Sequence, residues 1–213
     1  MSRHLLLLAF AAFTLSFLSC NRDESRIVRI STEFGDMDMK LYDSTPKHRD
    51  NFIKLAEEGY YDSLLFHRVI NGFMIQGGDP DSRNAPPSQQ LGMGGPGYEI
   101  DPEIGAPHFR GALAAARNNN PQKKSSGSQF YIVQGQIVTD EYLNSIEQQK
   151  GIKYSPEQRR LYKEIGGTPF LDSDYTVFGE LLKGTDVLLK IISAPTENDR
   201  PVQDIRMTVK VIK

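Results

Sequence analysis

The chain has 213 residues, of which 38% are hydrophobic and 24% charged, with a formal net charge of −2. That is enough for one domain of ordinary size around one core, and the composition excludes a disordered or membrane-embedded chain. No strongly basic block is present, so nucleic acid is excluded as a partner.

At the N-terminus, Arg3 and His4 precede an apolar or small run from Leu5 to Leu18, followed by Ser19 and Cys20. This is the pattern of a secretory signal over residues 1–19, and the run is too short to span a bilayer. Cys20, the sole cysteine, excludes a disulfide within a monomer. Its position directly after the apolar run resembles that of the lipidated cysteine of a bacterial lipoprotein. The box Phe17-Leu18-Ser19-Cys20 lacks the Leu that is usual three residues before that cysteine, and an ordinary signal peptide with a nearby Cys is the alternative. On the lipoprotein reading, residues 20–26 are a lipidated tether. Several acyl chains then hold the domain on a membrane of the bacterial cell envelope, at a periplasmic or outer-membrane face.

The domain itself is expected over residues 27–213. Ile27–Ser31 and Met37–Tyr42 flank a Gly-containing turn, and Met37, Met39 and Leu41 alternate with Asp38 and Lys40, which predicts a β-hairpin. Thr45-Pro46 opens a helix, with Thr as N-cap and Pro at the first helical position, that stops before Gly59. Leu64–Val69 and Phe73–Gly77 read as strands joined by a tight turn. From Asp79 to His108 a long ordered loop is expected, with only Tyr98–Ile100 strand-like. Gly111–Ala116 and Gln129–Gln134 are further strands around the polar loop Asn118–Gly127. Between about 139 and 168 two helices are expected, one capped by Thr139 and ending near Gly151, the other opened by the capping-box string Ser155-Pro156-Glu157-Gln158. Tyr175–Glu180 is a strand, Thr185–Ile192 a short helix, and Ile205–Val211 the last strand. About eight strands with two framework helices predict a mainly β, antiparallel protein, which closure into a barrel would free of exposed edges. The inserted helical pair reads by default as a solvated decoration. The alternative is a docking surface, because it enters just before Phe170.

The four histidines are scattered without metal-ligand spacing, so no metal is expected. No nucleophile elbow, Walker sequence or dinucleotide fingerprint is present, and the glycine-rich Gly92–Gly97 string reads as turn structure. No cofactor is implied. What remains is FHRVINGFMIQGGDP, Phe66 to Pro80, with Arg68 and Gln76 among apolar residues in segments that read as buried strand. A buried guanidinium cannot shed its proton and needs partners. A pocket that is apolar except for such a donor suits a greasy ring beside an amide, as in a prolyl peptide. In the strand from Gln129, alternation puts Gln129 and Tyr131 on one face and Phe130 and Ile132 on the other.

That string, together with NFIKLAEEGYYD (Asn51 to Asp62), GGPGYEI (Gly94 to Ile100), RGALAAAR (Arg110 to Arg117), GSQFYI (Gly127 to Ile132) and FLDSDYTVFGELLKG (Phe170 to Gly184), resembles the cyclophilin-type peptidyl-prolyl isomerases. The six strings occur in the family's order over about Ile27 to Lys213, and RGALAAAR is similar to bacterial members. The resemblance implies a closed eight-stranded antiparallel barrel. It also implies a monomer acting on X-Pro bonds of proline-containing peptides and unfolded, exported proteins. Carried over, Arg68 resembles the catalytic arginine. Phe73, Met74, Tyr131 and Leu171 would line the proline pocket, Gln76 and Gln129 would hold the substrate backbone, and Ala116 and Arg117 would border the groove. Tyr131 stands where Phe is usual, and its hydroxyl must be satisfied. Phe170 stands where many members have Trp, which implies weaker cyclosporin binding than in Trp-bearing relatives, and Tyr175 stands where they have His. The alternative reading is a proline-peptide-binding or holdase module with little turnover.

Overall fold

In the computed structural model, residues 26–213 are described, so the signal, the tether up to Ser25 and Cys20 lie outside the described residues. The strands are β1 (Arg26–Thr32), β2 (Gly35–Leu41), β3 (Leu64–Ile70), β4 (Met74–Gly77), β5 (Glu99–Ile100), β6 (Ala112–Ala115), β7 (Ser125–Ser126), β8 (Phe130–Val133), β9 (Val177–Lys183), β10 (Thr196–Glu197), β11 (Arg200–Pro201) and β12 (Arg206–Val211). Helices α1 (Pro46–Glu57), α2 (Asp140–Lys150), α3 (Pro156–Glu164) and α4 (Thr185–Ile192) complete the framework. Eight of the strands close into a barrel in the order β1-β12-β3-β4-β8-β6-β9-β2, and the expected architecture is present. Its neighbours pair antiparallel, which leaves no barrel edge open to another chain. Phe73, Gln129 and Tyr175, expected inside strands, sit just before β4, β8 and β9.

The barrel interior holds Val28, Ile30, Met37, Met39, Phe66, Ile75, Leu113, Phe130 and Ile132. Helix α1 adds Phe52 and Leu55 to this core, and α4 adds Leu188 and Ile191. The Phe130 ring meets Phe52 edge-on at 5.3 Å and Tyr61 at 5.7 Å, the geometry favoured by ring quadrupoles.

Helix α1 corrects one expectation. The Thr45 side chain makes no capping bond there. The orphan N–H groups of Lys47 and His48 are instead received by the Glu103 carboxylate, each at 3.0 Å. Glu103 comes from the long loop, so a distant anion serves the helix N-terminus. In the insert the local signals hold. Thr139 accepts from the Tyr142 N–H, Gly151 ends α2 in the left-handed region at φ 66°, and Ser155 and Gln158 form a reciprocal capping box before α3. The two helices enclose a small core of Leu143, Ile146, Tyr154 and Tyr162.

The β3–β4 ladder carries a bulge. Phe66 pairs with Gly77 and Arg68 with Gln76, so the register slips between Phe66 and Arg68. Unbroken alternation would turn Arg68 to the same side as Phe66, into the core. The extra residue reverses the parity. Phe66 and Val69 both face the interior, and Arg68 is turned outward with 45% of its side chain exposed. The expectation of a buried guanidinium is therefore corrected.

Candidate active site

On the outer barrel face, β3, β4, β8 and β6 present one row across the sheet: Arg68 pairs with Gln76, Gln76 with Tyr131, and Tyr131 with Ala114. At roughly 5 Å per strand, Arg68 lies about 10 Å from Tyr131 across the ladder. Beside this row is an apolar cluster separate from the main core. Met74, Ala114, Tyr131 and Val133 are buried in it, and Phe73, Ala116, Leu171 and Tyr175 are partly buried against it. Phe170 joins through its ring, 5.5 Å from that of Phe73, and remains 42% exposed. The alternation expected for Gln129 to Ile132 holds at Tyr131 on the outer face and at Phe130 and Ile132 in the core.

Two amides cross the row. Gln76 Nε2 donates to Gln129 Oε1 at 3.0 Å, and Gln129 Nε2 donates to the Gly94 carbonyl at 2.8 Å. This chain fixes both amide orientations. The glycine-rich loop that supplies Gly94 is itself folded around buried Asp79, whose carboxylate accepts from the N–H groups of Asp81 and Gly92. Gly94 is required there, because a Cβ would collide with the Asp79 carboxylate. A cleft of about 390 Å³ opens between this loop and Gln76, Ala116, Arg117 and Gln129. A second of about 1000 Å³ lies on the other side of Gln76, bordered by His67, Arg68, Leu91, Asp199 and Arg200.

Arg68 faces that second cleft, and its Nε donates to Asp199 at 3.4 Å, with both partners about half exposed. A long, half-exposed pair of this kind is worth about 0–1 kcal/mol, so the guanidinium can turn to a ligand at little cost. Asp199 is held by the turn between β10 and β11, where Asn198 and Asp199 both have positive φ and the Asp199 carbonyl receives the Val69 N–H at 2.7 Å. Arg117 donates from Nε to the Asp174 carbonyl at 2.9 Å and lies 4.6 Å over the Tyr175 ring, a cation–π contact that fixes the rim.

The Tyr131 hydroxyl finds its partner in His108 Nε2 at 2.9 Å, and the two rings are nearly parallel at an interplanar angle of 9°. Burial pushes the Tyr131 phenol far above its ordinary value, so it stays protonated. His108 Nδ1 lies 2.7 Å from Asp172. The structure thus brings all eleven domain residues singled out from the sequence to one face. His108, Asp172, Asp79 and Glu103 were not singled out. The one available signal was the Tyr131 hydroxyl, which demanded a polar partner in an apolar setting. Among the described residues no cluster of three His, Cys, Asp or Glu could hold a metal ion.

A closed antiparallel barrel whose outer face carries an apolar cluster, two bonded glutamine amides and a half-exposed arginine is the architecture expected of the prolyl-isomerase class. The family model for cyclophilin type peptidyl-prolyl cis-trans isomerase/CLD matches residues 27–211. The chain belongs to that family. A Staphylococcus haemolyticus protein named as a candidate peptidyl-prolyl cis-trans isomerase is 38% identical over 86% of this chain and 89% of its own. A Staphylococcus aureus (strain USA300) protein of the same description is 38% identical over 84% and 87%. The crystal structure of a Cryptosporidium parvum cyclophilin type peptidyl-prolyl cis-trans isomerase superposes with a TM-score of 0.63 at 27% identity, covering 89% of this chain and 98% of that one. The same protein crystallised in the presence of the dipeptide Ala-Pro gives 0.62, covering 88% and 99%.

Proposed function

We propose that Arg68 catalyses rotation about X-Pro bonds by donating a hydrogen bond to the proline nitrogen when the amide is twisted. Rotation faces a barrier of ~18–20 kcal/mol, because conjugation gives the C–N bond partial double-bond character. No bond breaks, so neither a nucleophile nor a proton relay is needed. In the twisted amide the nitrogen lone pair is localised and accepts a hydrogen bond that the planar amide does not, so a positioned cation stabilises the transition state selectively. Lowering the barrier by ~7 kcal/mol accelerates the reaction roughly 10⁵-fold.

In this reading Phe73, Met74, Tyr131 and Leu171 seat the pyrrolidine ring. Gln76 and Gln129 hold the flanking backbone, Ala116 and Arg117 line its path, and Phe170 and Tyr175 form the rim. The observation that carries the reading is the bulge, which turns Arg68 from the core side to the face shared with the apolar cluster. The test is a protease-coupled prolyl-peptide assay on the wild type and Arg68→Ala. Loss of about 10²–10³ in kcat/KM with peptide affinity largely kept is expected. Equal, slow turnover by both, with peptide still bound, would replace the enzyme by a binding module.

The clients are exported proteins and unfolded chains, and the membrane is reached through a lipid on Cys20. The support is the order of charged start, apolar run and cysteine in the first twenty residues. Growth with a radioactive fatty acid is expected to label the wild type and not Cys20→Ala. Equal labelling of both refutes the anchor.

A further inference from the structure

We propose that the inserted helical pair sets the floor of the proline pocket through a buried hydrogen-bond chain that runs Tyr131–His108–Asp172 to Tyr162 and Tyr154. The proposal rests on the assignment of Tyr131 and Leu171 to that pocket.

The chain begins at Tyr131, whose hydroxyl is 2.9 Å from His108 Nε2. His108 Nδ1 is 2.7 Å from Asp172 Oδ1, and a carboxylate can only accept, so Nδ1 carries the proton. In the neutral ring Nε2 is then the acceptor and Tyr131 the donor. Asp172 Oδ1 also receives the His108 backbone N–H at 2.8 Å. Its Oδ2 receives two phenols, Tyr154 at 2.8 Å and Tyr162 at 2.5 Å. Four donors thus converge on one carboxylate, about its full capacity.

Every member is sequestered: His108 and Tyr162 are 0% exposed, Tyr131 and Asp172 5%, and Tyr154 7%. Tyr154 lies between α2 and α3, and Tyr162 lies on α3. Lys150, at the end of α2, adds its Nζ to the Asp172 carbonyl at 2.8 Å and to the Asp174 carboxylate. The segment so clamped carries Phe170 and Leu171 on one side of Asp172 and Tyr175 on the other. The Tyr175 ring stands edge-on to both Tyr131, at 6.0 Å, and His108, at 6.4 Å.

A solvated decoration does not send two buried phenols and a lysine into the loop that bears the pocket wall. In a dry network each bond polarises the next, and removing one donor leaves the carboxylate short of a partner. Loss of the Tyr162 hydroxyl therefore shifts Asp172 and His108, and with them the Tyr131 ring. Tyr154 and Tyr162 are positioning residues. They act through Tyr131 and do not touch the substrate.

The test is a double-mutant cycle of Tyr162→Phe with Tyr131→Phe, read as kcat and KM for a prolyl peptide, as the dissociation constant of an Ala-Pro dipeptide, and as the urea midpoint. Tyr162→Phe in the wild-type background is expected to raise KM and the dipeptide constant about tenfold with kcat little changed, because the seat is used in ground and transition states alike. In the Tyr131→Phe background, where the chain is already cut, the same substitution is expected to change both by less than about twofold. Equal effects in the two backgrounds, or a fall in urea midpoint with KM and dipeptide binding unmoved, overturns the proposal. Tyr154→Phe repeats the cycle should Tyr162→Phe fold poorly, with the same expectation and the same refutation. Dipeptide binding reads the coupling without turnover, so failure of the isomerase reading is distinguished from failure of this one.

Discussion

The inner and outer faces of strands β4 and β8 are a few ångströms apart and solve opposite problems. Ile75, Phe130 and Ile132 point inward and belong to the apolar core. Met74, Gln76 and Tyr131 point outward, where amides, a phenol and a neighbouring cation are held by bonds reaching loops far along the chain. The pleat allows this, since successive side chains alternate sides. Residues one position apart can therefore serve stability and chemistry separately. In β3 the bulge does the sorting instead, and it is the reason the cation belongs to the outer set.

The sharpest way to break this division is to cut one residue from each face. Phe130→Ala empties a site between Phe52, Tyr61 and Phe66 and is expected to cost about 3–5 kcal/mol of unfolding free energy. At temperatures where it is folded, kcat/KM per folded molecule should stay close to wild type. Arg68→Ala should do the reverse, with the activity loss given above and a urea midpoint equivalent to within ~0.5 kcal/mol of wild type. Comparable damage to both quantities from either substitution would end the separation.

His67 sharpens the boundary, because it lies at the bulge between the two sets. It is 5% exposed, and neither ring nitrogen has a protein partner in hydrogen-bonding geometry. Burial lowers its pKa from 6.5 to about 4; Asp79 and the neighbouring Leu65 backbone oppose the shift, and Arg68 and Arg200 reinforce it. The unfolded chain takes up the proton near 6.5 while the folded one resists it. Stability is therefore complete above that pH and falls as pH drops toward about 4, by up to ~3 kcal/mol. His48, also lowered by burial, adds to the slope in the same direction. Urea midpoints across this window should fall less steeply for His67→Gln than for the wild type, and parallel slopes would remove His67 as the source.

What could be read in advance follows the range of the forces involved. The β1–β2 hairpin, the α3 capping box and helix Thr185–Ile192 depend on neighbours within a few positions, and their residues announce them. The site residues were legible because six strings resemble one family, and alternation placed Tyr131 opposite Phe130 without that help. The Glu103 cap joins groups 55 and 56 positions apart, and Thr45 offered a plausible local substitute that the fold does not use. The bulge defeated the period-two rule at Arg68, since one inserted residue reverses every later side chain and leaves no mark in composition. His108 looked like one of four scattered histidines. Its meaning depends on Asp172, 64 positions on, and on tyrosines in the insert.

The barrel is sealed by a seam between its first and last strands. Val28 lies opposite Val211 and Ser31 opposite Thr208, so the ring has no complete form until Val211 is available. β1 pairs at once with β2, but its other edge must wait for β12, far along the chain. Such distant closure is slow, and the ring is complete only once both strands of the seam are present. An enzyme that relieves hesitation in other chains thus has a late-closing ring of its own.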